Sequence, residues 1–378
     1  MKPLSIMLVL LIQCAYLCGC SEPSHVLDDS TSNRSDHPVL VLSKVDSIGV
    51  ELGDSNYVFG NILDAAFLPD GRILLLDVRK DQISVFSPEG EFLDSFGREG
   101  SGPGEFNEPS SIAVLSNGEI CVADFMRKML IYFDGDFNYL REVSGFTMQP
   151  PSIIEGGNGG SVVGFQTHYY TEGDELHIGS RIACWRETST PDLEYASRYY
   201  LHDGGGSVMI PQFVYAISTD GSLYYSEISR EEYKIVKLGS EGDTLFCIIE
   251  TYEPTNRTEE EMAGAHFGYV LDTPGFDSND RRRIRSSWTV DPVRIAISSI
   301  HVDGNDRIWV ATGRGEQSAP QFEIYDSAGN HIFTYVTDLP AEMRFGNWRY
   351  VFGNDRVISF DNNPDDYSKV FIYEIQEQ

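Results

Sequence analysis

Short apolar runs alternate with Gly, Asn or Asp turns along most of this chain, and the apolar positions recur with the period of strands rather than helices. The first complete unit reads as four strands, 62–68, 72–77, 82–86 and 91–96, with tight turns at Pro69-Asp70-Gly71 and Pro88-Glu89-Gly90. Such turns between alternating runs are hairpin signals, so the unit is one four-stranded antiparallel module. The pattern returns over 110–143, 152–200, 213–250 and 295–336. A sixth module, 348–374, has only three runs, and the unclaimed run 39–45 is available to complete it. Modules this small cannot bury a core alone, and closing them into a ring protects their edges. The pattern therefore predicts an all-β, six-bladed β-propeller of four-stranded antiparallel blades over 38–378, closed by an N-terminal strand in the last blade.

A polar residue stands six positions after each turn residue. Turns at Gly71, Gly118, Gly160, Gly221, Asp306 and Asp355 lead to Asp77, Asp124, Gln166, Glu227, Thr312 and Asp361. Each falls at the end of a second strand. With second strands taken to lie near the axis, the six would ring a central funnel. Two roles stay open for them: capping the backbone amides of the following loop, or holding a polar ligand or a cation, with calcium the ion suited to such oxygens.

The turns between first and second strands are tight throughout, whereas the long connections, among them 97–109, 167–180, 202–212, 253–294 and 337–347, fall on the opposite face. That loop-rich face is the expected working surface. The longest insertion, 253–294, carries helical signals: Thr258-Glu259-Glu260-Glu261 forms a capping box ahead of 262–271, and Ser278 can start a second short helix. Within it Arg281, Arg282, Arg283 and Arg285 make a dense basic run, either an anion clamp for a carboxylate, phosphate or sugar acid or a solvated helix face. Tyr169, Tyr170, Trp185, Tyr199, Tyr200, Tyr224 and Tyr225 offer stacking platforms or blade-to-blade packing.

The N-terminus gives an address. Lys2, the apolar stretch 4–16 and Leu17-Cys18-Gly19-Cys20 resemble a bacterial lipobox, which implies a signal peptide over 1–19 and a lipid on Cys20. Residues 20–37 hold few apolar side chains and read as a flexible tether.

Composition adds exclusions. With 28 Lys and Arg against 58 Asp and Glu, the formal net charge is −30, and such a field repels nucleic acid and anionic lipid. Cys121, Cys184 and Cys247 sit in apolar runs of three different modules and read as free buried thiols, with no close cysteine or histidine cluster to suggest zinc.

The segment Phe96-Gly97-Arg98-Glu99-Gly100-Ser101-Gly102-Pro103-Gly104-Glu105-Phe106, with Pro109, Ile112-Ala113-Val114, Gly118, Val122-Ala123-Asp124 and Ile131, resembles the NHL-type repeat. More broadly the chain resembles the six-bladed propeller lipoproteins of Bacteroidota and related bacteria. That resemblance implies the cell envelope, with the outer membrane favoured, membrane attachment through lipid only, and a protein, peptide or glycan partner. Six-bladed propellers also include calcium-dependent lactonases and lyases, but the Glu, Asn and Asp that the lactonases bring to one calcium do not map onto this chain. His168, His177, His202, His266, His301 and His331 are scattered, and Gly205-Gly206-Ser207 lacks a nucleophile elbow. The expected function is a noncatalytic binding module acting through the loop-rich face. The alternative is a metal-dependent hydrolase or lyase at the funnel.

Overall fold

A computed structural model describes residues 26–28, 39–173, 175–201, 212–264, 291–314, 321–337, 348–361 and 367–375. The first blade runs β4 (Ile62–Phe67), β5 (Ile73–Asp77), β6 (Gln82–Phe86) and β7 (Phe92–Phe96) in antiparallel order. The second comprises β8 (Pro109–Val114), β9 (Ile120–Asp124), β10 (Met129–Phe133) and β11 (Tyr139–Val143). The third comprises β12 (Ser152–Gly156), β13 (Val162–Glu172), β14 (Glu175–Trp185) and β15 (Leu193–Leu201). The fourth has β16 (Phe213–Ile217), β17 (Leu223–Glu227), β18 (Tyr233–Leu238) and β19 (Thr244–Glu250), and the fifth β20 (Ile297–Val302), β21 (Ile308–Thr312), β22 (Gln321–Tyr325) and β23 (His331–Thr337).

The last blade confirms the closure and corrects its boundary. Its strands β24 (Trp348–Phe352), β25 (Arg356–Asp361) and β26 (Val370–Glu374) are completed by β3 (Lys44–Ile48), antiparallel to β26. The run expected as one strand is two. β2 (Val39–Leu42) pairs in parallel with β23 on the outer edge of the fifth blade, so the chain passes from one blade to the next between Leu42 and Lys44. Within the span read as tether, β1 (Val26–Asp28) pairs in parallel with Cys247, Ile248 and Ile249 of β19.

The hydrophobic core lies in the seams between blades. One cluster joins Leu74, Leu76 and Val85 of the first blade to Ile112, Val122 and Ile131 of the second, and another joins Trp309 and Phe322 of the fifth to Val357 and Tyr373 of the sixth. Second strands such as β5 and β9 are buried along their whole length because both faces meet a neighbouring blade. Trp185 and Tyr224 belong to these seams. Cys121, Cys184 and Cys247 are free and buried.

Two further expectations change. Residues 167–180 are not a loop: β13 and β14 continue through them as one long hairpin, paired from Val162↔Trp185 to Glu172↔Glu175. The capping box forms as read, with Glu261 N–H donating to Thr258 Oγ1 at 3.1 Å and Thr258 N–H to Glu261 Oε2 at 2.7 Å, but the described helix is short, α1 (Glu259–Gly264). Cys20 and the run Arg281, Arg282, Arg283 and Arg285 lie outside the described residues. No helix among the described residues is long and apolar enough to cross a membrane.

Candidate functional site

The first strands β4, β8, β12, β16, β20 and β24 approach one another in turn and so surround the axis. The second strands lie one position further out, which corrects the expectation that they line the funnel. The residues six after each turn do share one face: Asp77, Asp124, Glu227, Thr312 and Asp361 stand opposite Ile62, Pro109, Phe213, Ile297 and Trp348, the first residues of the first strands.

Several of them fasten backbone. Asp77 accepts the amides of Gly60 at 2.7 Å, Asn61 at 3.0 Å and Arg79 at 3.1 Å. Asp124 accepts those of Asn107 at 2.6 Å and Arg127 at 2.9 Å, while burial pushes its carboxyl above the usual range. Gln166 donates to Gln149 O at 2.9 Å and accepts from the Arg181 guanidinium at 2.7 Å, and Thr312 Oγ1 accepts the Arg314 amide at 3.1 Å. The bonds of Asp77, Asp124 and Thr312 clip a strand end to an adjoining connection, whereas Gln166, expected at a strand end, lies within β13 and its Arg181 bond joins it to the facing residue of β14. Glu227 is exposed and pairs with Arg198 at 2.9 Å, beside a small recess of about 360 Å³ that Tyr225, Glu232 and Lys234 also line. Asp361 is half-buried. Among the described residues, no group of three His, Cys, Asp or Glu is placed to hold a metal ion.

Chemistry gathers instead on the first strands. The amide that closes each first turn comes from Leu68, Leu115, Gly157, Ser218, Asp303 or Gly353. Four residues before it lies one layer: Asp64, Ser111, Ile153, Val214, Ser299 and Arg349. Two residues before it lies a second: Ala66, Ala113, Glu155, Ala216, His301 and Val351. In the first layer Asp64 Oδ2 accepts Ser111 Oγ–H at 2.5 Å and the Ile112 amide at 3.0 Å. Ser111 Oγ in turn accepts the Ile154 amide at 3.0 Å. Arg349 Nη1 stands 3.9 Å from Asp64 Oδ1, an ion pair across the seam that closes the ring. In the second layer Glu155 Oε2 accepts the Ile217 amide at 2.8 Å, and His301 Nε2 meets Ser299 Oγ at 3.0 Å.

Burial sets the protonation of these groups. It raises the Asp64 carboxyl against the opposing pull of Arg349, and it raises Glu155 to about 8, with Asp64 adding to the rise. It lowers His301 to about 3, helped by the Arg349 guanidinium. Near neutral pH the second layer thus holds a protonated carboxyl and a neutral imidazole.

Above the second layer, on the face of the tight turns, opens an axial cavity of about 670 Å³ lined by all six blades. Its wall includes Phe67 and Phe352, and its rim takes one turn from each blade, at Pro69, Ser116, Asn158, Thr219, Gly304 and Asn354. Bonds between blades brace that rim: Asn158 Nδ2 donates to Asp220 O at 2.9 Å, Thr219 Oγ1 to Asp306 Oδ2 at 2.7 Å, and Asn305 Nδ2 to Asn354 O at 3.3 Å. Gly221 has φ +79°, and a Cβ there would lie 1.9 Å from Asn158 Nδ2, so the contact requires glycine. The chain is a six-bladed β-propeller.

Comparison with known proteins agrees. A family model described as 6-bladed beta-propeller matches residues 48–149. A member of the duf4221 family from Bacteroides vulgatus superposes with a TM-score of 0.50 at 9% identity, covering 89% of this chain and 97% of that one. A protein from Bacteroides fragilis gives 0.49 at 14% identity, with 90% and 100% coverage. Virginiamycin B lyase from Staphylococcus aureus gives 0.44 at 10% identity, with 88% and 99% coverage.

Of the polar residues gathered at the axis, only His301 is singled out by the sequence, and as a lone histidine. The signal for the rest is a polar residue inside an otherwise apolar first strand, as in Ile62-Leu63-Asp64-Ala65-Ala66-Phe67 and Trp348-Arg349-Tyr350-Val351-Phe352.

Proposed function

We propose that this chain is a lipid-tethered, extracytoplasmic binding propeller, noncatalytic, that receives a glycan, a peptide or a segment of an envelope protein at its axial cavity. The observation that carries this reading is the axial column itself: a cavity lined by all six blades, standing over two layers of mixed polar and apolar side chains. Concave sites with a few convergent polar groups are where small ligands bind. The cavity opens among the tight turns, so this reading sets the site on that side and not on the loop-rich face expected from sequence. The lipobox-like Leu17-Cys18-Gly19-Cys20 supports the tether and the envelope address.

The test uses saturation-transfer NMR with soluble glycans and peptides on the full chain, repeated on Asn158→Trp and Asn354→Trp, which place bulk on opposite sides of the cavity rim. Binding lost in both variants, with unchanged melting, supports the reading; binding that survives both sinks it. Cys20→Ser should release the protein from the membrane fraction, and retention there would remove the tether.

A second reading is favoured by one observation. Glu155 and His301 share a layer, and Glu155, a carboxyl protonated near neutrality, is the kind of group that serves as a proton donor. It makes the column the site of a hydrolase or lyase, and it predicts turnover that Glu155→Gln abolishes while binding persists.

A further inference from the structure

The axial cavity has a wall of its own, one residue nearer the turns than the second layer. Directly before each turn-closing residue stand Phe67, Val114, Gly156, Ile217, Val302 and Phe352, and all six line the cavity. Five are apolar and only half-buried, so each keeps hydrocarbon open to it. The sixth has no room for a side chain, because a Cβ at Gly156 would lie 2.3 Å from Val114 O. This layer therefore offers no side-chain donor or acceptor. A polar group pressed against it would lose water without gaining a partner, whereas an apolar group gains by leaving water.

The mouth differs from the wall. The six turns that frame it, from 68–72 round to 353–356, carry six carboxylates against three guanidiniums and no lysine. Five of the carboxylates are engaged. Asp70, Glu119 and Asp303 each pair with an arginine, at 2.8, 2.8 and 2.7 Å, while Asp220 and Asp306 accept the hydroxyls of Ser218 and Thr219 at 2.6 and 2.7 Å. Asp355, exposed and on the cavity lining, has no side-chain partner among the described residues. The whole chain stands at −30, a field that repels a second copy and draws in a cation. A volume of about 670 Å³ is that of sites that take a ligand of several residues' bulk rather than a lone ion.

From this arrangement we infer that the axial cavity docks a cationic segment of a partner polypeptide, which sets an aromatic or branched aliphatic side chain against Phe67, Val114, Ile217, Val302 and Phe352 and its lysines or arginines over the acidic turns, Asp355 among them. The wall selects the residue that enters. The turns steer the approach, since exposed charges act at long range and are screened by salt. A neutral glycan answers neither feature, because its hydroxyls would meet the apolar wall unbonded and it brings no charge to the mouth.

The inference rests on the axial-site reading, and its experiment separates the two. Titration calorimetry of the full chain would compare three capped peptides, acetyl-Lys-Phe-Lys-amide, acetyl-Lys-Ser-Lys-amide and acetyl-Glu-Phe-Glu-amide. The first should bind about tenfold or more tightly than either of the others, and added salt should weaken it. Asp355→Lys changes an exposed side chain that bonds nothing, so melting should hold while the first peptide weakens by about fivefold and the third strengthens. No binding of the first peptide, equal binding of the second or third, or an order that Asp355→Lys leaves unchanged overturns the inference. A neutral glycan that binds in place of the peptides and is blocked by Asn354→Trp overturns it while leaving the axial site standing, as do dimers at high concentration that Asn354→Trp dissolves. Binding of the first peptide that Asn354→Trp does not disturb defeats both.

Discussion

Asp77 and Asp64 belong to adjacent strands of one blade and are both aspartates removed from bulk water, yet they do opposite things. Asp77 is wholly buried and takes three backbone amides, two from the connection that enters its blade and one from the connection that follows its own strand. Asp64 looks across a seam toward the axis, bonds one hydroxyl and amides of its own and the next blade, and faces a guanidinium 3.9 Å away. The difference lies in what each carboxylate meets. Where a strand ends in a loop, the nearest donors are amides that need acceptors, and the side chain becomes part of the fold. Where first strands crowd an axis, donors come from the neighbouring blade as well as from the strand itself, and the side chain ties one blade to the next.

The sharpest way to break this comparison is by stability. Asp77→Ala strands three amides that Asp77 now satisfies, and should cost about 3 kcal/mol or more. Asp64→Asn keeps an oxygen toward Ser111 and Ile112 and should cost about 1 kcal/mol or less. Urea unfolding midpoints at constant m report both. Equal losses at the two sites would put Asp64 among the structural clips and remove it from any ligand site.

A smaller effect, on the order of 2 kcal/mol, should appear in the pH dependence of the axial layers. Glu155 titrates near 8 in the folded chain against an ordinary value of 4.5, so the folded state holds the proton longer and stability falls as pH rises between those values. His301 is near 3 against 6.5, so the unfolded state binds the proton first and stability is lost as pH falls through that window. Between pH 4.5 and 6.5 the two slopes oppose, and the wild-type melting temperature should be flat there. Glu155→Gln should leave melting that rises up to pH 6.5, and His301→Gln melting that falls from pH 4.5 to 8. Variants that both retain the wild-type profile would mean that neither group is held away from water.

The ring of blades was legible in the sequence because it repeats: apolar runs, tight turns and the polar residue six positions on recur in register, and the structure places those polar residues on equivalent positions of one face. The axial layers were not legible for the converse reason. Their members do not repeat, since one position holds Asp64, Ser111, Ile153, Val214, Ser299 and Arg349 in successive blades. Turn length also hides the register. The last turn closes from Gly353 N to Arg356 O, one residue shorter than Leu68 N to Arg72 O, so counting back from the turn residue misaligns Arg349 with Asp64. The long hairpin of β13 and β14 escaped notice because His168, Tyr170 and His177 interrupt the apolar pattern, although they stack on one face with Tyr199.

The smallest expected effect concerns calcium, and it bears on the strand ends. A ligand of the folded state raises its stability by mass action, about 2.7 kcal/mol at a hundredfold excess over Kd. Calcium at Asp77 or Asp124 would have to displace amide donors already bonded at 2.6 to 3.1 Å, and releasing those amides in a buried place offsets what coordination contributes. Melting with millimolar calcium and with chelator should therefore agree to within about one degree, the equivalent of a few tenths of a kcal/mol. A larger rise that Asp77→Asn removes would reverse the assignment of the second-strand carboxylates from clips to ligands. A rise that Asp77→Asn leaves untouched but Asp64→Asn removes would move the ion to the axis, where the opposing Arg349 makes such a site least expected.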